Sequence, residues 1–193
     1  MKRHLWNASA GLGLALLLAA CGDLVLKGIL PEHVHSLAIP TFEDKSGQPT
    51  LASDLTRKVV QSFNVDGRLS VAAQDQADAL LRGTIQRYDR LVLTRDANQV
   101  PQQYKLQVVV DLDLSDLKDG KQLWSTRRTI SLTPGVDTPS DEFDSTNTRS
   151  LREYTNYYVL NMAGVPPEDE PTAQERLLRQ MASRVVRRVL EGF

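Results

Sequence analysis

Tyr104-Lys105-Leu106-Gln107-Val108-Val109-Val110-Asp111-Leu112-Asp113-Leu114 is the run on which the fold turns. Leu106, Val108, Val110, Leu112 and Leu114 recur at every second position and face one way, while Lys105, Gln107, Asp111 and Asp113 face the other. Successive side chains of a strand point to opposite faces, so this pattern predicts a strand with one buried face and one polar face. Downstream, Lys118-Asp119-Gly120-Lys121 is a hairpin turn. Residues 123–132 return as the partner strand, with Trp124 and Ile130 on one face, and Thr133-Pro134-Gly135 closes it. Upstream, Leu81, Gly83 and Ile85 share a face. Beyond Arg87 the alternation loses phase, which predicts a bulge or twist before Leu91 and Leu93. The loop 94–101 joins these two long strands. Shorter strands are expected at 33–39, stopped by Pro40, and at 68–72.

Two segments switch to helical spacing. Leu51, Leu55, Val59 and Phe63 lie four apart with Ala52 and Val60 on the same arc, while Ser53, Asp54, Arg57, Lys58 and Gln61 take the other side. This is an amphipathic helix with one buried stripe, ended by Asp66-Gly67. The second helix starts at Pro171 with the capping-box pattern Thr172–Glu175. It buries Leu177, Leu178, Met181, Ala182, Val185 and Val189, and Gly192 follows its end. Residues 136–170 carry no clear period and read as an irregular excursion with room for one helix. The fold class expected is α+β: a two-layer sandwich of a mostly antiparallel four- to five-stranded sheet with both helices on one face. The polar face then meets water or a hydrophilic partner wall.

The amino-terminal end carries an address. Lys2 and Arg3 precede an apolar run from Ala8 to Ala20. A membrane-spanning helix needs about 20 apolar residues, and this run is shorter, with the flanks of a secretory signal. Leu18-Ala19-Ala20-Cys21 looks like a bacterial lipobox, in which cleavage exposes the cysteine and its thiol takes a diacylglycerol. The other reading is an ordinary signal peptide with an incidental cysteine. That the chain's one cysteine stands directly after the apolar run favours lipidation at Cys21. Gly22 rather than Asp follows it, which favours outer-membrane delivery. The expected organisation is a signal peptide at 1–20, a lipidated tether at 21–32 and a single domain at 33–193, the excursion included.

Composition narrows the function. Lysine and arginine total 23 against 24 acidic residues, so the chain lacks the basic excess that a nucleic-acid binder needs. No nucleophile elbow and no phosphate loop is present. His33 and His35 are two metal-ligand types on one strand with no third nearby, and they read as ordinary strand residues. Asp111 and Asp113 read as solvated strand carboxylates, because nothing apolar surrounds them to separate their pKa values. An enzyme, a cofactor and a metal are therefore not expected. Arg176, Arg179, Arg184 and Arg187 lie opposite the apolar arc of the last helix, as a solvated side or as a face for anionic lipid. Arg95 lies in the 94–101 loop, as a plain loop charge or as a group reaching outward.

Taken in order, several stretches carry a resemblance. They are the lipobox, Ser36-Leu37-Ala38-Ile39-Pro40-Thr41-Phe42-Glu43-Asp44, Asn64-Val65-Asp66-Gly67-Arg68-Leu69, Ala77-Asp78-Ala79-Leu80-Leu81-Arg82-Gly83-Thr84-Ile85 and Tyr104-Lys105-Leu106. Asp119-Gly120-Lys121-Gln122-Leu123-Trp124 and Leu190-Glu191-Gly192-Phe193 complete the set. This order resembles the LPS-assembly lipoprotein LptE family over residues 18–135 and 171–193. The resemblance implies a non-enzymatic outer-membrane lipoprotein that plugs the β-barrel protein LptD, together forming the translocon that delivers lipopolysaccharide to the outer leaflet. It also implies basic residues at one end of the domain that bind lipopolysaccharide. Arg95 is the position carried over. Because successive turns alternate between the ends of an antiparallel sheet, Arg149 or Arg152 is expected near it. The alternative is a periplasmic lipoprotein of the CsgG- or TolB-N-terminal-like kind, an interaction module that opens with a similar strand and loop before a helix.

Overall fold

A computed structural model describes residues 30–126, 150–160 and 165–191. The signal run with Cys21, the return-strand residues from 127 on with Ile130, the Thr133-Pro134-Gly135 turn and Arg149 lie outside the described residues.

The alternating run becomes β5 (Pro101–Asp116), paired antiparallel along its whole length with β4 (Ala79–Arg95), from Ala79 opposite Asp116 to Arg95 opposite Pro101. Leu81 and Ile85 on β4, with Leu106, Val108, Val110, Leu112 and Leu114 on β5, are fully buried. The expected loss of phase is a register shift between Ile85 and Arg87, and further shifts follow between Val92 and Arg95.

Around this hairpin the sheet has seven strands rather than four or five. β1 (Ser36–Ala38) runs parallel to β4 and to β3 (Ser70–Val71), and β2 (Glu43–Asp44) runs parallel to β4. Pairings of two residues are too short to leave a period in the sequence. β6 (Gln122–Ser125) and β7 (Leu151–Tyr158) add antiparallel to β5, β6 beside residues 113–115 and β7 beside residues 103–110. Most registered pairs are thus antiparallel, as expected. β7 corrects the reading of 136–170 as irregular with room for one helix. Its inward residues Leu151, Thr155 and Tyr157 are buried at every second or fourth place, but a threonine among them masks the alternation.

α1 (Leu51–Asp66) buries Leu51, Leu55, Thr56, Val59 and Phe63. Gly67 ends it at φ 76°, donating its N–H to the Phe63 carbonyl at 2.9 Å, a conformation that costs glycine little. α2 (Glu170–Glu191) buries the whole expected arc from Leu177 to Val189. Its cap differs from the expected box. Asp169 Oδ1 accepts the Thr172 N–H at 3.0 Å, while Glu175 turns to Lys58 (3.1 Å) and Arg179 (3.2 Å). Both helices cover one sheet face and share a single core cluster with β1, β4, β5 and β7. Leu30, inside the expected tether, also packs against this core.

Two contacts fix the base of the sheet. His33 Nε2 lies 2.7 Å from Asp116 Oδ2 at the end of β5. The Phe42 ring covers Gly83 so closely that a Cβ there would lie 2.5 Å from it.

Candidate functional site

The register defines what the sheet shows on the side away from the helices. Arg87, Val109 and Arg152 form one cross-strand row, Asp89, Gln107 and Tyr154 the next, and Leu91, Lys105 and Asn156 a third. Arg152 and Tyr154 are exposed, and the Lys105 ammonium sits 4.5 Å above the Tyr154 ring. Arg87 pairs with Asp89 at 2.8 Å. This face is less watery than expected. Gln107 and Asp111 are only 9% and 7% exposed. Asp111 accepts hydrogen bonds from the Gln86 amide at 2.6 Å and the Ser150 hydroxyl. Asp113 accepts from the Gln122 amide at 3.1 Å and the Ser125 hydroxyl. The two carboxylates read as solvated are in fact fasteners between strands, which is how polar groups are kept inside a fold without loss.

On the helix side, the same three strands close with aromatic groups. Tyr104 and Tyr157 stack at 5.3 Å, and the Arg90 guanidinium lies 5.0 Å over Tyr104 while bonding Glu170 at 2.6 Å. Burial, reinforced by the Glu170 carboxylate, pushes the Tyr88 phenol up to about 12. The ring therefore stays neutral, with its hydroxyl 3.4 Å from Gln174.

Arg95 stands at the far end, where β4 turns into β5. The turn is tightly held. The Asp96 N–H donates to the Val100 carbonyl at 2.9 Å, and Asp96 Oδ1 accepts the N–H groups of Asn98 (2.8 Å) and Val100 (2.9 Å). Arg95 donates one N–H to the Gln99 carbonyl at 2.8 Å. A guanidinium has five N–H donors, so the rest point to solvent.

The structure does not bring Arg152 to Arg95. Arg152 lies opposite Val109, and Arg95 opposite Pro101. Eight residues of strand separate them, about 26 Å. The expectation needed the return strand to run the length of β5. In the described residues β6 pairs with three β5 positions only, and β7 occupies the rest of that edge with Tyr158, not Arg152, toward Arg95.

The family comparison decides what this architecture is. The model of the lipopolysaccharide-assembly family LptE matches residues 34–191, most of the chain and nearly all of the described domain. The chain belongs to the LptE family. No curated protein matches it in sequence. Among solved structures it is similar to protein XCC0632 from Xanthomonas campestris, at 15% identity and TM-score 0.48, covering 82% of this chain and 86% of that one. It is also similar to a minor lipoprotein from Acinetobacter baumannii, at 14% identity and TM-score 0.45, covering 81% and 91%. Rare lipoprotein B from Shewanella oneidensis matches at 14% identity and TM-score 0.42, covering 79% and 89%.

In this LptE-family domain the arginines of α2 divide. Arg176 bonds Glu168 and the Asn156 carbonyl, and Arg184 bonds Glu153 and the Arg152 carbonyl. Both are struts from α2 to β7 and its flank rather than a free face. Arg179 and Arg187 border a groove of about 460 Å³ between the helices, with Lys58 and Arg68 across it. Lys58, Arg68 and Arg179 are already paired there with Glu175, Asp66 or Glu191. Arg188, unmarked in the sequence, is buried with its guanidinium 5.9 Å from the Trp124 ring, and burial holds its pKa below the ordinary arginine value. Its place three residues after Val185 on the apolar arc was the available signal. His33 and His35 lie before β1 rather than within a strand as expected, and His33 Nε2 sits 2.7 Å from Asp116 Oδ2. Among the described residues no helix is long and apolar enough to cross a membrane.

Proposed function

We propose that this LptE-family protein is the lipoprotein subunit of an outer-membrane lipopolysaccharide translocon, which plugs an LptD-like β-barrel and helps pass lipopolysaccharide to the outer leaflet. The observation that carries this reading is the family match over residues 34–191. In this reading the signal at 1–20 is removed, Cys21 carries the acyl groups, 21–32 is the tether and 33–193 the domain. Each buried methylene of the anchor contributes about 0.8 kcal/mol, so two or more chains hold the protein at the membrane. A sheet face whose polar groups have their own partners suits a barrel lumen, which is polar.

The work is recognition and placement rather than bond making. Arg95 meets phosphate through charge-assisted hydrogen bonds, which are short and strong. Arg152, with Arg149 close to it in sequence, serves a more distant part of a large glycolipid. Affinity purification of the tagged protein from detergent-solubilised outer membranes is the test: a large barrel protein co-elutes. Recovery of a free monomer under mild conditions overturns the reading. A homo-oligomer by light scattering supports the CsgG- or TolB-like alternative, which the family match disfavours.

A further inference from the structure

The strands on either side of β5 end the sheet in different ways. On β7, the Val159 N–H bonds the Gln102 carbonyl of β5, so Arg152, Tyr154, Asn156 and Tyr158 turn their backbone groups to the outer edge. Three of those four carbonyls have donors. Arg184 bonds that of Arg152, Arg176 that of Asn156 at 3.0 Å, and the Glu168 N–H that of Tyr158 at 2.8 Å. Each arginine is also held by a carboxylate, Arg176 by Glu168 and Arg184 by Glu153. An edge covered in this way resists the addition of another strand.

β4 is built the opposite way. β2 pairs with it at Thr84 and Ile85, and the Lys45 N–H reaches the Ile85 carbonyl. Beyond Ile85, among the described residues, no strand pairs with this edge and no side chain bonds its backbone. Register shifts after Ile85 and after Val92 leave a regular run, Arg87–Val92, between them. Gln102 faces β7, so Tyr104, Leu106, Val108 and Val110 do too, and their partners Val92, Arg90, Tyr88 and Ile85 face away from β5. Tyr88, Arg90 and Val92 therefore turn both N–H and C=O groups to an open edge, while Arg87, Asp89 and Leu91 use theirs on β5.

The side chains there are aliphatic and basic. Leu91 (49% exposed), Val92 (38%) and Leu93 (45%) stand together, and Arg87, Arg90 and Arg95 outnumber Asp89. A second copy of the strand brings the same excess of cations, so charge selects against it. The complement is an extended segment with aliphatic residues at its centre and carboxylates beside them. In such pairing the main chain supplies affinity and alternate side chains supply specificity.

We infer that Arg87–Val92 of β4 takes an added strand from the barrel partner, an extended aliphatic segment with acidic flanks. A closed barrel wall has no edge to offer, so the segment is a loop or terminal stretch of that protein. This rests on the translocon reading above.

The test is hydrogen exchange at single amides of the full-length protein, free and copurified with its barrel partner in mild detergent. In the free protein the N–H groups of Arg87, Asp89 and Leu91 exchange slowly and those of Tyr88, Arg90 and Val92 fast. In the complex the second set is expected to slow by about a hundredfold. Equal rates for that set in both states overturn the inference and leave the translocon reading standing. Val92→Pro is a second arm, because the N–H it removes is not used by β5 and proline is tolerated on an edge. At an unchanged melting temperature the yield of co-eluting barrel protein should fall about tenfold. An undiminished yield overturns the inference, and if the variant fails to fold, the exchange rates of the parent decide. A benzoylphenylalanine cross-linker at Leu91 names the occupant. An adduct on one acidic, extended segment of the barrel protein supports the inference, and an adduct on a second copy or on lipid alone overturns it. A parent that co-elutes no barrel protein overturns the translocon reading itself.

Discussion

Gly83 tests how the loop between β2 and its neighbours is seated. The Phe42 ring occupies the space that a methyl group needs, and both residues are buried. Overpacking of a filled core costs about 1–3 kcal/mol. Gly83→Ala should therefore lower the unfolding free energy by about that amount, read as a lower urea midpoint, and Gly83→Ala combined with Phe42→Leu should recover part of it. Asp78 makes the opposite kind of contact, a polar clasp between β1 and the start of β4. The Ser36 hydroxyl (2.7 Å), the His35 N–H (3.0 Å) and the Ser36 N–H (2.9 Å) all donate to its carboxylate. In that order they hold it below its ordinary 3.8. Between the folded and ordinary values the unfolded chain binds the proton and the fold does not. The clasp thus contributes fully above pH 3.8 and is lost as pH falls through the folded value. Asp78→Asn should melt below the parent at neutral pH, and the gap should narrow in scans below pH 3.8.

At the scale of elements, the start of α2 discriminates between two caps. Asp169→Ala should lower the melting temperature more than Thr172→Ala, because Asp169 accepts the free N–H of the first turn. A larger loss with Thr172→Ala would restore the box read from the sequence. The same comparison shows what a one-dimensional pattern can carry. β4, β5 and both helices were legible because their buried residues repeat at the period of the element. β7 was not, since Thr155 and the part-buried Glu153 stand where an apolar residue would mark the inner face, and Glu153 is satisfied by Arg184. Asp111 looked solvated because its partners, Gln86 and Ser150, are 25 and 39 residues away. Arg95 was placed at the correct turn. Its distance from Arg152 depended on which strand occupies the free edge of β5, and no local signal sets that.

For the whole molecule, the proposed lipid attachment can be tested apart from the fold, whose buried core cluster runs from Val34 to Leu190. Cys21→Ser removes the thiol on which the proposed lipidation depends. That variant should accumulate as unprocessed precursor in the inner membrane, visible as a slower band on immunoblots. Normal maturation of the variant would contradict lipidation at Cys21.

The His33–Asp116 contact brings the chain into the domain at the end of β5 farthest from Arg95. β5 is 16 residues long, roughly 50 Å if fully extended, against about 40–45 Å for a bilayer with its headgroups. A molecule tied down near its entry point therefore holds its opposite pole a full membrane thickness away.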